Sequence, residues 1–202
     1  MATTKTAIIN RALTKIGSRQ VTNIDSDNTI EARAALNVYD MALENILSET
    51  LWTFAKKRAL LATLDEEVAF NSQKESLNIV YQKPVDCVRI FAVSDVGADW
   101  YEEEDRILSD TAGLGIIYTF LNTNPATYRS YFATCFSDLL AAELCYPLLN
   151  SGTKTEELFN IYQRISLPKA KAANAQTGKA QEVNDSYWEN AKYGGPNIKE
   201  LS

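Results

Sequence analysis

The chain has 202 residues, 46% of them hydrophobic and 23% charged, which excludes a wholly disordered, collagen-like or low-complexity protein. A chain of this length hides roughly 70% of its surface on folding, enough for a core without disulfides or metal. The balance of 26 acidic to 20 basic residues (formal charge −6) argues against gripping phosphates, and the absence of histidine removes Ser-His-Asp chemistry and His-containing zinc sites.

In chain order, the first predicted helix runs from about Thr4 to Ile16, with Ile9, Ala12, Leu13 and Ile16 on one stripe and Gly17 as its terminator. After a loop dense in turn formers, Asn28 and Glu31 predict a capping box for a second helix from about Thr29 to Glu49. Ala35, Val38, Tyr39, Ala42 and Ile46 form its buried face, and Arg33, Asn37, Asp40 and Glu44 a solvated or subunit-contacting face. The segment LSETLWTFAKKRALLATL places Trp52, Phe54 and Leu60 in the core. Its Lys56, Lys57 and Arg58 read as a solvated turn with one arginine paired to a carboxylate, rather than as a phosphate contact.

Between about residues 77 and 121 the period shortens. Short β-branched and aromatic runs separated by turn signals predict a small antiparallel sheet, with Pro84 at an edge or connection and turns at Gly97, Gly113 and Gly115. Helical periodicity returns from about Thr127 to Leu149. Phe132, Cys135, Phe136, Leu139, Leu140 and Leu144 make a wide apolar face there, and Ser130, Thr134, Ser137 and Asp138 a narrow polar one. Glu143 lies seven residues after Phe136, on the apolar side, and so calls for a structural ion pair with Arg11 or Arg58. Thr153 and Glu156 predict another cap, Leu158, Ile161, Tyr162 and Ile165 continue an amphipathic helix, and Pro168 should kink or break it. No apolar run approaches the length of a membrane span.

These readings give an α+β protein, mainly α: a helical bundle from the N- and C-terminal segments (1–64 and 122–176), a small antiparallel β-sheet subdomain inserted at 65–121, and an extended C-terminal tail at 177–202. The tail is polar and broken by Gly178, Gly194, Gly195 and Pro196, yet carries Tyr187, Trp188 and Tyr193, aromatic residues placed either as anchors for a partner surface or to fold back and finish the chain's own core.

Little in the sequence points to local catalysis. The run Glu102, Glu103, Glu104 and Asp105 lacks the alternating ligands and glycine of a calcium loop, and reads as a strand turn presenting solvated carboxylates. Cys87, Cys135 and Cys145 are never in CxxC spacing, no leader segment is evident, and the odd count reads as reduced thiols. No phosphate-binding glycine motif occurs. The expectation is a protein without catalytic residues, cofactor or metal. Paired carboxylates leave a glycan hydrolase as an alternative.

The order of segments carries a further signal. AIINRALTKIGSRQVTNID, AALNVYDMALENIL and LWTFAKKRALLATL resemble the N-terminal signature of the tail tubular protein A family, the head-to-tail adaptors of short-tailed bacteriophages. YQKPVDCVRI, YEEEDRILSD, IIYTFLNTNPATYRSYFATCFSDLLAAELCYPL and the late AANAQ and SYWENAKYG extend the likeness over nearly the whole chain, Pro168 being a departure from it. The resemblance implies a non-enzymatic virion subunit, made in the host cytoplasm. Such subunits form a ring of about twelve copies between portal protein and tail nozzle protein. The portal or the next subunit is then the partner surface for Tyr187, Trp188 and Tyr193. DNA passes through the ring without sequence-specific binding, and no membrane is involved. A tail-associated glycan hydrolase and a transient assembly chaperone or scaffold are the alternatives.

Overall fold

Helix α1 (Lys5–Ile16) starts where the Thr4 hydroxyl accepts from the Ala7 N–H, satisfying one of the amides that a helix start leaves open. It stops at Gly17, whose φ of 77° suits a residue without Cβ; Gly17 and Ser18 donate back to Thr14 and Leu13. Asn10 then orders the following loop by bonding both the N–H and the carbonyl of Val21. Helix α2 (Ile30–Ser48) is capped by Thr29, one residue from the predicted Asn28. Its last carbonyls receive the Trp52 indole (2.7 Å to Ile46) and the Arg89 guanidinium (2.8 Å to Ser48). The computed structural model describes residues 3–68 and 77–177.

Six strands follow: β1 (Lys56–Leu60), β2 (Ile79–Gln82), β3 (Cys87–Val93), β4 (Trp100–Glu103), β5 (Arg106–Ser109) and β6 (Gly115–Phe120). They form two three-stranded antiparallel sheets, ordered β1-β6-β3 and β2-β5-β4. A second, smaller core of Leu61, Tyr81, Ile90, Ile107, Leu114, Ile116 and Tyr118 holds this part together, and Phe120 packs against both it and the helical core.

Helix α3 (Ser130–Leu149) is the centre of the molecule. Phe132, Phe136, Leu140, Ala141, Leu144 and Cys145 on it are inaccessible to solvent or nearly so. By length and composition it is long and apolar enough to cross a membrane, although the sequence reading finds no run approaching that length; here most of it is covered by its neighbours. Helix α4 (Gly152–Ile161) folds back along α3, a π turn over Tyr162–Ser166 follows, and α5 (Leu167–Ala175) completes the rod.

Five expectations need correction. The N- and C-terminal segments do not make a helical bundle, and the β part is not one small inserted sheet. Helices α1, α2 and α4 pack chiefly on α3 instead of on one another. Periodicity reveals which face of a helix is buried, not which element buries it. Of the two sheets, one takes β1 from before residue 65. Leu60 is 77% exposed rather than in the core, because β1 is an edge strand that turns this side chain outward. Pro168 does not end the helical run, which continues from α4 through the π turn into α5. The π turn ahead of it, with the Leu167 N–H bonded to the Tyr162 carbonyl, widens the helix where the proline ring would clash. At α4 no side chain caps the N-terminus, so the Thr153–Glu156 box does not form.

Candidate functional site

The polar strip of α3 is the floor of an open cleft. Ser130 and Thr134 are shared by two adjoining grooves, one of about 330 Å³ against α1 and one of about 420 Å³ against the π turn and α5. Ser137 turns its hydroxyl back onto the Ala133 carbonyl of its own helix (2.7 Å), which leaves a smooth floor.

Asp138 ties the walls together. Its carboxylate pairs with Lys15 of α1 and accepts from the Ser166 hydroxyl of the π turn at 2.6 Å. Burial first, and the Arg11 guanidinium second, push the Lys15 ammonium below its usual range. Farther down, Lys154 of α4 donates to the Ile16 carbonyl at 2.9 Å and links α4 to the end of α1. Arg11 and Lys169 stand exposed on the two walls, and no ion pair to either occurs among the described residues. The cleft thus offers hydroxyls, small side chains and two uncompensated cations, a set suited to recognising a surface that carries carboxylates.

The predicted site residues are dispersed. Glu143 is half-buried on α3, and burial raises its carboxyl above the usual range. The expected ion pair with Arg58 or Arg11 is not formed: among the described residues no cation reaches Glu143. Arg58 lies exposed on β1 and Arg11 in the cleft. A carboxylate that keeps part of its water needs no partner, and that is the physical reason for the correction. Tyr187, Trp188 and Tyr193 lie outside the described residues.

The basic cluster is a strand instead of a turn. Its paired member is Lys57, 2.5 Å from Asp86 and over the Phe120 ring, not an arginine. Asp86 is held below the usual carboxylate range, chiefly by that lysine and also by the Tyr118 hydroxyl. The acidic run forms the end of β4 and its turn into β5, with all four residues exposed; Lys83 pairs with Glu102, and Arg106 with Glu66 at 2.6 Å. Cys87 opens β3 half-buried, and burial raises its thiol to about 11.

No protein-family model matches the chain, and no curated protein matches it in sequence. Sequence reasoning missed the Lys15–Asp138–Ser166 node and the cations flanking it. The signal was present in Asp138 on the polar strip, but its partners come from elements more than a hundred residues apart.

Proposed function

We propose that this chain is a structural subunit of a head-to-tail adaptor ring of a short-tailed bacteriophage, like the tail tubular protein A family that its segments resemble. In this reading it sits between portal and tail nozzle and leaves a passage for DNA. The observation that carries the subunit reading is α4. This helix contains Leu158, Phe159 and Ile161, yet none of its residues is buried: the first two are half-covered and Ile161 is 43% exposed. Helices of this length owe most of their stability to packing of an apolar face. Helix α4 packs on α3 through Leu158 and Phe159, and a neighbouring subunit would cover the side, including Ile161, that α3 leaves open. Met41 on α2 and Ile165 on the π turn, 72% and 60% exposed, add apolar surface to outward-facing helices.

Charge supports the conduit. An acidic protomer repeated around a ring gives a lumen that repels the phosphate backbone and lets DNA slide. The exposed carboxylates at the β4–β5 turn are suited to such a lining. The test is the copy number of the protein in finished particles and in their precursors. Portal-like stoichiometry in the finished particle is expected. Presence in precursors alone would make it a transient scaffold, and turnover of a cell-wall glycan that one Asp or Glu substitution abolishes would make it a hydrolase.

A further inference from the structure

The cleft and the outer face of α2 point in opposite directions. Phe136 of α3 meets Tyr39 of α2 with ring centroids 5.1 Å apart, and Phe132 meets Trp52 just beyond α2 at 5.0 Å. Thr134, on the cleft floor, lies two residues from each phenylalanine, about 160° away around α3. On α2, Ala35, Tyr39, Ala42 and Ile46 are buried, so the exposed Asn37, Asp40, Met41 and Glu44 look away from the helical core. One side of the protomer is therefore a convex helical ridge, and the other is a concave cleft.

We infer that the α2 ridge of one copy seats in the α1/α3/α5 cleft of the next; this rests on the reading of the chain as a ring subunit. The chemistry of the two surfaces is complementary. The ridge presents Asp40 and Glu44 along its middle and C-terminal part, about two turns and more beyond the exposed Arg33 at its start, with no ion pair to either carboxylate among the described residues. The cleft presents Arg11 and Lys169, while its own carboxylate, Asp138, is already neutralised by Lys15. Met41 stands out from the ridge, and Ile165 forms an apolar lip on the cleft, with Ile161 exposed one turn before it on the adjoining helix. The small floor residues Ser130 and Thr134 allow a helix to approach closely. A contact between two different patches is heterologous: it propagates from copy to copy and closes into a ring when the rotation per step divides a full turn. One helix face is a small interface, at the weak end of specific contacts, so each step is weak until the ring closes. Isolated chains at low concentration are accordingly monomers.

The experiment is sedimentation of the full chain from about 10 µM to 1 mM, a range that brackets weak contacts of this size. Four samples accompany the wild type: a ridge variant (Asp40→Lys with Glu44→Lys), a cleft variant (Arg11→Glu with Lys169→Glu), the variant carrying all four changes, and a one-to-one mixture of the two doubles. All four positions are exposed, and circular dichroism checks that the fold is kept. Wild type should associate with rising concentration. Each double variant alone should associate about tenfold or more weakly, while the fourfold variant and the mixture should recover to within about threefold of wild type. Zero-length carbodiimide coupling of the wild type should join Lys169 to Asp40 or Glu44 between copies. A wild type that stays monomeric throughout, or double variants that associate as wild type does, would overturn the contact. Coupling of Lys169 to acidic residues within 178–202 of its own chain would assign the cleft to that segment and overturn it as well. Capture of the wild type by a portal ring is scored separately, so loss of this contact and loss of the adaptor reading give different results.

Discussion

The side-chain amide of Asn174 on α5 donates to the carbonyl of Leu51, 123 residues earlier, at 3.0 Å. Its oxygen accepts from the Thr53 N–H at 2.9 Å and from the Tyr131 hydroxyl at 3.1 Å. One buried side chain thus ties the end of the helical rod to the junction between α2 and β1, with the Lys171–Glu49 pair beside it at 2.9 Å. Asn174→Ala leaves those backbone groups without their partner, and should lower stability by about 2–3 kcal/mol in urea unfolding. An unchanged midpoint would mean that α5 is not held by this residue.

Phe136 is fully buried where α2 crosses α3. Phe136→Ala should cost about 3–5 kcal/mol, the transfer loss plus the cavity left behind. Near-wild-type thermal stability would place this helix face elsewhere.

Glu143 works against the fold at neutral pH. Burial holds its carboxyl above the ordinary value of 4.5, so the folded chain binds that proton more tightly than the unfolded chain. The penalty is complete above the raised value and vanishes below the ordinary one. Glu143→Gln should therefore be more stable than wild type at pH 7, and the advantage should fade as pH drops through 4.5. A destabilised variant at pH 7 would reveal a partner that the described residues do not supply.

The thiols should be slow to alkylate. Burial raises Cys87 to about 11 and Cys135 to about 12, and Cys145 is also buried. Maleimide or iodoacetamide should reach Cys87 first, and its rate should rise about tenfold per pH unit below that value. Prompt labelling of Cys135 or Cys145 in the folded chain would contradict the buried placement of α3.

Much of the helical part was legible because its signals are local. Thr4, Gly17 and the stripe from Ile9 to Ile16 mark α1 to within a residue, and the apolar face of α3 follows from its spacing. Strand β1 was not legible: KKRAL is charged and short, and only pairing with β6 makes it a strand. Pro168 reads as a breaker because a π turn leaves no pattern of its own in the sequence. The cleft was half-legible. Its floor is the polar strip already apparent in Ser130, Thr134, Ser137 and Asp138, but its walls come from α1 and α5, and no short-range rule brings Arg11 and Lys169 to either side of α3.

The central claim is that this chain is an adaptor ring subunit. The most direct measurement is electron imaging of the purified protein mixed with the portal ring of a short-tailed phage proposed to encode it. The account predicts a second ring of matching symmetry stacked on one end of the portal, with an open axial channel and one copy of this chain per portal subunit. Portal rings that remain bare at saturating concentrations of the folded chain would contradict it.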